Sequence, residues 1–147
     1  MPKNFNPPIM FRLELFVDDM IASIDFYNKV LGFEIGKQQP DKYTPMTNGN
    51  IVLSLNLRAN LPDDHPVQAK TGERLGRGVE FVLEVNDIEA IYERVLSTNW
   101  PLSSELQHQP WGLTDFRIVD PDGYYWRITT LSEDSRLLPP VKSETAV

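Results

Sequence analysis

The chain contains no cysteine, which excludes disulfide bonds, cysteine nucleophiles and cysteine-ligated zinc. Histidine is scarce as well, because His65 and His108 are the only two. Few side chains are therefore suited to proton transfer near neutral pH or to binding a transition metal. Basic residues are the minority, with 14 Lys and Arg against 21 Asp and Glu, and they are scattered along the chain. Since a protein that follows phosphates needs a clustered basic surface, we expect no nucleic-acid partner.

Long apolar runs are also missing. Residues 1–8 lack the apolar stretch of a signal peptide, and no segment approaches the roughly 20 apolar residues of a membrane span. We therefore expect no membrane partner and a cytoplasmic location. The 147 residues, 41% of them hydrophobic, are enough for one ordinary core. A net charge of −7 is common on soluble surfaces.

What the chain does contain is an internal repeat. The sequence VDDMIA at 17–22 returns as VNDIEA at 85–90, an offset of 68 residues. Each copy follows an alternation of apolar and polar residues and begins a segment with helical apolar spacing. Each is followed by a Gly-centred turn and another alternating segment. Two copies of one small unit predict a pseudo-symmetric domain with a shared cleft.

Both copies are predicted to have the order βαβββ. In the first, a strand at 11–17 leads into a helix whose N-cap is Asp18 or Asp19. In the second, Asn86 and Glu89 form a capping-box pattern at the start of the helix. The other strands are predicted at 33–38, 43–46, 51–57, 79–85, 102–106, 113–119 and 124–130.

These elements predict an α+β fold in which two βαβββ modules form a curved, half-open barrel sheet with helices on its convex face. The single domain is predicted at 1–131. Its first module spans about 9–58, a polar connector 59–77, and the second module about 78–131. The remaining residues, 132–147, are predicted to be a polar tail.

Strand alternation also predicts which side chains face the concave side of the sheet. The apolar strand residues should receive the helices, and the alternate residues should face the cleft. A mixed polar and apolar face is unusual for a core and typical of a ligand cleft. The predicted concave residues are Arg12, Glu14, Phe16, Glu80, Val82 and Glu84.

Several segments together carry a resemblance to a known family. They are VDD at 17–19, SIDFY at 23–27, VLGF at 30–33, QPWG at 109–112 and VDPDGY at 119–124. With the duplication, they resemble the vicinal oxygen chelate superfamily, which includes glyoxalase I, bleomycin-resistance proteins and extradiol dioxygenases. The resemblance covers roughly residues 9–131.

The resemblance implies four metal-ligand positions, one at the start of the first strand and one on the last strand of each module. The family usually has His or Glu there, whereas this chain has Arg12, Ser54, Glu80 and Arg127. A guanidinium is always protonated and only donates hydrogen bonds, so it cannot ligate a cation. We therefore expect neither a metal nor a cofactor in the cleft. The alternative role for Arg12, Glu80 and Arg127 is a structural ion-pair network across the cleft.

Two more candidate ligand residues lie in or beside the loop that borders the cleft in relatives. His108 is a candidate for ligand contact or pH sensing, and Trp111 is either packing or an aromatic wall for a planar ligand. Phe16 and Val82 are equally compatible with a minor core. No catalytic residue is assigned.

The resemblance is closest to the bleomycin-resistance branch, whose members sequester a drug or metabolite in a metal-free cleft. We therefore expect a metal-independent protein that binds a small organic ligand, with a role in antibiotic resistance. We also expect a homodimer, since dimers commonly complete the grooves in that branch. The alternative function is a lyase, isomerase or dioxygenase of the same superfamily.

The charge of the cleft bears on the ligand. Three predicted cleft carboxylates outnumber Arg12 and Arg127, which favours a cationic ligand with an aromatic or planar part. If the two arginines point freely into the cleft, they favour a carboxylate or phosphate instead.

Overall fold

A computed structural model describes residues 9–39 and 43–133 of the chain. The strands are β1 (Leu13–Val17), β2 (Glu34–Ile35), β3 (Tyr43–Asn48), β4 (Ile51–Leu57), β5 (Phe81–Val85), β6 (Leu102–His108), β7 (Thr114–Val119) and β8 (Tyr125–Thr130). The helices are α1 (Met20–Asp25), which continues into a π-helical turn (Phe26–Val30), α2 (Ile88–Ser97) and a short 3-10 turn (Arg58–Asn60). The predicted α+β class and the βαβββ order of both modules are confirmed. Most of the predicted tail lies outside the described residues.

The described strands form two four-stranded sheets with the same internal order. The first sheet runs β1-β4-β3-β2 and the second runs β5-β8-β7-β6. In each, the first strand of the module pairs in parallel with the last, and the other pairs are antiparallel. β1 and β5 are therefore edge strands, and the two sheets are not closed into a barrel.

Both sheets turn their apolar faces toward one core that includes the helices. Leu15 and Val17 on β1 are buried, while Glu14 before them is exposed and Phe16 between them is half-buried, as the alternation predicts. Leu83 on β5 is buried in the same core, at the position 68 residues after Leu15. The opposite side of each sheet, which corresponds to the side predicted above to be concave, is called its outer face. No helix in the described part of the chain is both long and apolar enough to cross a membrane.

The two main helices begin at equivalent residues. Asp19 caps α1, where its Oδ1 accepts a hydrogen bond of 3.1 Å from the amide of Ala22. Asp87 caps α2 in the same way, at 3.0 Å from the amide of Ala90. The predicted cap at Asn86 is wrong. The capping residue is Asp87, one position later, because its side chain reaches the amide of the third helical residue.

A group of buried side chains, which we call the inter-module latch (Tyr27, Asp120 and Trp126), ties the π-helical turn after α1 to the second module. Tyr27 donates a hydrogen bond of 2.7 Å to Asp120 Oδ2 and accepts one of 3.2 Å from Trp126 Nε1. The other oxygen of Asp120 accepts hydrogen bonds of 2.8–3.0 Å from the backbone amides of residues 122–124. One carboxylate therefore holds both the Asp-Pro-Asp-Gly turn and the contact between the modules.

Candidate ligand-binding site

The outer face of the first sheet carries the predicted site residues of module 1. Glu14 and Ser54 are register partners on β1 and β4, and Phe16 lies two residues further on the same face. Ser54 is fully buried, with its Oγ 2.7 Å from the hydroxyl of Tyr43. The guanidinium of Arg12 stands 6.0 Å from the centre of the Tyr43 ring, which is a cation–π distance. Arg12, Tyr43 and Ser54 thus form one small cluster.

The outer face of the second sheet carries the equivalent residues of module 2. Val82 on β5 pairs with Arg127 on β8, which in turn pairs with Arg117 on β7. Glu80 Oε1 lies 3.5 Å from Arg127 Nε. Of the three residues of the alternative ion-pair network, Glu80 and Arg127 form an ion pair, whereas Arg12 lies over Tyr43 on the other sheet.

The loop candidates lie at another part of the second module. His108 is exposed and places Nδ1 3.2 Å from the hydroxyl of Thr114. Trp111 is 54% exposed and lines a small cavity with residues 131–133, so it is not part of the core. Glu84 accepts a hydrogen bond of 2.8 Å from the backbone of that same segment. Trp111 and Glu84 thus share a neighbourhood, and His108 flanks it.

A cavity between the two sheets, which we call the edge groove, has a volume of about 650 Å³. Its walls are Leu13, Ile51 and Val52 from the first sheet and Phe81, Val82 and Leu83 from the second, and residues 9–11 form its rim. Among the described residues it has one charged lining side chain, that of Glu80. Its volume and apolar lining are those of a site for a small organic molecule.

The edge groove contains only part of the predicted site. Of the predicted ligand residues, Glu80 and Val82 line it. Leu13, Phe81 and Leu83 are among the apolar strand residues that the alternation predicts to receive the helices, and they also reach the groove because the two sheets leave a gap between β1 and β5. Arg117 was missed entirely, although its alternation with Phe116 on a predicted strand places it on the outer face.

Comparison with known proteins identifies the family. A sequence model of the Glyoxalase/Bleomycin resistance protein/Dioxygenase superfamily matches residues 9–128. The chain belongs to this superfamily. An uncharacterized protein of Mycobacterium bovis is 30% identical over 126 residues, which cover 78% of each chain. An uncharacterized protein of Mycobacterium tuberculosis is also 30% identical, over 78% of this chain and 69% of that one.

Solved structures of the superfamily fold are similar to this chain. A superfamily member from Nocardioides has a TM-score of 0.69 at 23% identity, over 89% of this chain and 88% of that one. TioX from Micromonospora sp. ML1 has a TM-score of 0.68 at 20% identity, over 84% and 98%. Lactoylglutathione lyase from Agrobacterium tumefaciens has a TM-score of 0.63 at 20% identity, over 84% and 94%. At these identities the likeness shows the fold alone.

The strand register bears on the four positions that the resemblance assigns to metal ligands, which are Arg12, Ser54, Glu80 and Arg127. Ser54 pairs with Glu14 and Arg127 pairs with Val82, and these partners are 68 residues apart, so Ser54 and Arg127 are equivalent. Glu80 is the only carboxylate among the four positions, and it lies against the Arg127 guanidinium. Within residues 9–39 and 43–133, no group of three or more His, Asp or Glu is placed to hold a metal ion. The residues present at these positions do not fit a divalent metal.

Proposed function

We propose that the protein binds a small organic molecule in the edge groove without a metal ion, and that it sequesters a drug or metabolite. The observation that carries this proposal is the groove itself. It offers about 650 Å³ between two apolar walls, one from each module. Burial of apolar ligand surface there supplies the affinity, and the few polar groups nearby supply orientation.

The donor set supports the metal-independent part of the proposal. A tight transition-metal site usually needs three or four protein ligands. Here Arg12 and Arg127 cannot ligate a cation, and Ser54 Oγ lies 2.7 Å from the Tyr43 hydroxyl. Glu80 alone is too little for a site of that kind.

A groove-filling substitution tests the proposal. Val82 is 45% exposed and lines the groove, so Val82→Trp should fill it without disturbing the core. With naphthamide as a neutral aromatic probe, calorimetric titration should show saturable binding to the wild type. We expect Val82→Trp to weaken this binding by about tenfold or more, which corresponds to about 1.4 kcal/mol.

A matched control is available on α2. Leu96 is also 45% exposed but lies outside the groove lining, so Leu96→Trp should bind naphthamide like the wild type. Equal binding by Val82→Trp and the wild type would contradict the proposed site.

We also propose that the protein is a homodimer. The outer edges of β1 and β5 pair with no strand among the described residues, and exposed sheet edges are a liability that proteins usually cover. Next to β1, Ile9, Met10 and Phe11 are 101%, 72% and 80% exposed. A contiguous apolar segment beside an unpaired edge is typical of a surface that meets another chain.

Native mass spectrometry at micromolar concentration should therefore give about twice 16.9 kDa. Phe11→Asp should shift the protein toward monomer, because it places a charge in the proposed interface. Ile21→Asp is the control, since Ile21 is 77% exposed on α1, away from the groove rim. A wild-type monomer at every concentration would contradict the proposal.

A further inference from the structure

We propose that Arg117 and Arg127 form an anion-binding subsite beside the edge groove, and that the ligand is an apolar molecule carrying an oxyanion, a carboxylate or phosphate. This inference rests on the proposed function, because the subsite is useful only if the groove holds the rest of the ligand. The sequence leaves open whether the ligand is a cation or an anion, and we infer an anion.

The backbone holds the two arginines side by side. Arg117 and Arg127 are register partners on β7 and β8, so both side chains leave the outer face from adjacent strands. Adjacent strands are about 4.8 Å apart. The next residue in this row is Val82, which lines the edge groove. A ligand in the groove therefore lies next to the strand that carries Arg127, with Arg117 one strand further.

The pair is costly for the protein when nothing is bound. Like charges directly opposite each other on neighbouring strands destabilise a sheet. The side chains of Arg117 and Arg127 are only 27% and 24% exposed, so water screens the repulsion poorly. The Nε atoms of both are buried and have no hydrogen-bond partner. Buried donors without an acceptor are uncommon in folded proteins, so the protein itself satisfies these two guanidinium groups incompletely.

The neighbouring carboxylates do not complete the pair. Asp115 Oδ2 lies 3.8 Å from Arg117 Nη2, too far for a hydrogen bond, and its other oxygen accepts one of 2.9 Å from Gln109. Glu80 lies 3.5 Å from Arg127 Nε, which makes an ion pair but not a hydrogen bond. Both guanidinium groups therefore keep hydrogen-bonding capacity for a ligand.

Other arginines of the chain show the contrast. Arg58 Nε donates to Asp18 at 2.8 Å, Arg74 Nε to the carbonyl of Gly123 at 3.2 Å, and Arg94 Nε to the carbonyl of Lys29 at 3.0 Å. In those three arginines Nε has a hydrogen-bond partner, whereas in Arg117 and Arg127 Nε has none.

The remaining contact of Arg117 keeps it positively charged. Its Nη1 donates to the hydroxyl of Tyr125 at 3.4 Å. This bond raises the pKa of Arg117 above its ordinary value, and the nearby carboxylates of Asp115 and Glu80 add to the effect against the opposing effect of burial. Arg117 therefore stays cationic.

Four probes that share a naphthalene body test the proposal: naphthoate, naphthyl phosphate, neutral naphthamide and cationic naphthylmethylammonium. Wild-type protein should bind naphthoate or naphthyl phosphate about tenfold tighter than naphthamide, and naphthylmethylammonium more weakly still. Whichever of naphthoate and naphthyl phosphate binds more tightly shows whether the preferred oxyanion is a carboxylate or a phosphate. The preference for the anion should fall as salt concentration rises.

The variants Arg117→Gln and Arg127→Gln should each remove the preference for the anion while naphthamide affinity stays within about twofold. The matched control is Lys29→Gln, which removes one positive charge from an exposed helical pair with Asp25. It should keep the preference.

The outcomes separate the subsite from the groove. If wild-type protein binds naphthamide as tightly as both anions, or if both arginine variants keep the preference, the subsite is refuted and the groove stands. A preference for the cationic probe would also refute the subsite. If no probe binds at millimolar concentration, both the groove and the subsite are refuted.

Discussion

Replacing Asp120 with alanine is expected to lower the free energy of unfolding by about 3–5 kcal/mol, the largest effect of the substitutions considered. The carboxylate accepts a hydrogen bond of 2.7 Å from the Tyr27 hydroxyl. It also accepts three hydrogen bonds from the backbone amides of residues 122–124. Alanine would leave the buried Tyr27 hydroxyl without its acceptor and the turn without its side-chain support. Each buried group that loses its partner costs about 1–3 kcal/mol. Urea unfolding of the purified variant measures the loss.

Two further substitutions divide this effect. Tyr27→Phe keeps the ring in the core but leaves Asp120 Oδ2 without its donor and Trp126 Nε1 without its acceptor, so it should cost about 1–3 kcal/mol. Asp63→Ala is the control, because Asp63 is exposed on the connector and its loss should change stability by less than about 0.5 kcal/mol. A loss of less than about 1 kcal/mol in Asp120→Ala would show that the latch does not hold the modules together.

Stability is expected to fall as the pH rises through about 6, because of the same carboxyl group. Burial raises the pKa of Asp120 from its ordinary value of 3.8 to about 6, against the opposing effect of the hydrogen bonds from Tyr27 and the turn. The folded chain therefore binds this proton more tightly than the unfolded chain. The contribution is fully present below about pH 4 and is lost as the pH rises through 6. The interval between the two pKa values corresponds to at most about 3 kcal/mol.

The measurement is urea unfolding of the wild type and Asp120→Asn at several pH values between about 4 and 8. Asparagine cannot titrate, so the stability of the wild type relative to the variant should fall by about 2–3 kcal/mol across this range. Burial also raises the pKa of Asp122, but that residue is present in both proteins and its effect cancels to first order. A relative stability that stays constant or rises with pH would contradict the assigned pKa.

The repeat made most of the fold predictable. Two copies of one motif, each with strand alternation followed by helical spacing, predict two similar modules, and alternation correctly separates Leu15 and Val17 from Glu14. The N-cap of α2 shows where local pattern misled. Asn86 and Glu89 match a capping box, but the repeat relates Asp19 to Asp87, which is the observed cap. Comparing the two copies is therefore a better guide to helix boundaries than one motif alone.

The site was less predictable because it depends on register and on how the sheets meet. Alternation places Arg127 and Arg117 on outer faces, but only the pairing of β7 with β8 makes them neighbours. The gap between β1 and β5, which opens core residues such as Leu13 and Phe81 to a groove, has no signal in one sequence. The sequence shows a helical segment at Tyr27 and a turn at Asp120, but it gives no sign that these two side chains form a hydrogen bond.

The most direct test of the central claim, a metal-independent groove for a small organic molecule, is native mass spectrometry with elemental analysis of untagged protein from cell extract. With no chelator used in purification, we predict a dimer carrying a non-covalent organic adduct and well under one metal ion per chain. Collisional release should then give a ligand mass, and Val82→Trp should lack the adduct while Leu96→Trp retains it. A stoichiometric divalent metal that disappears in Glu80→Ala would contradict the account.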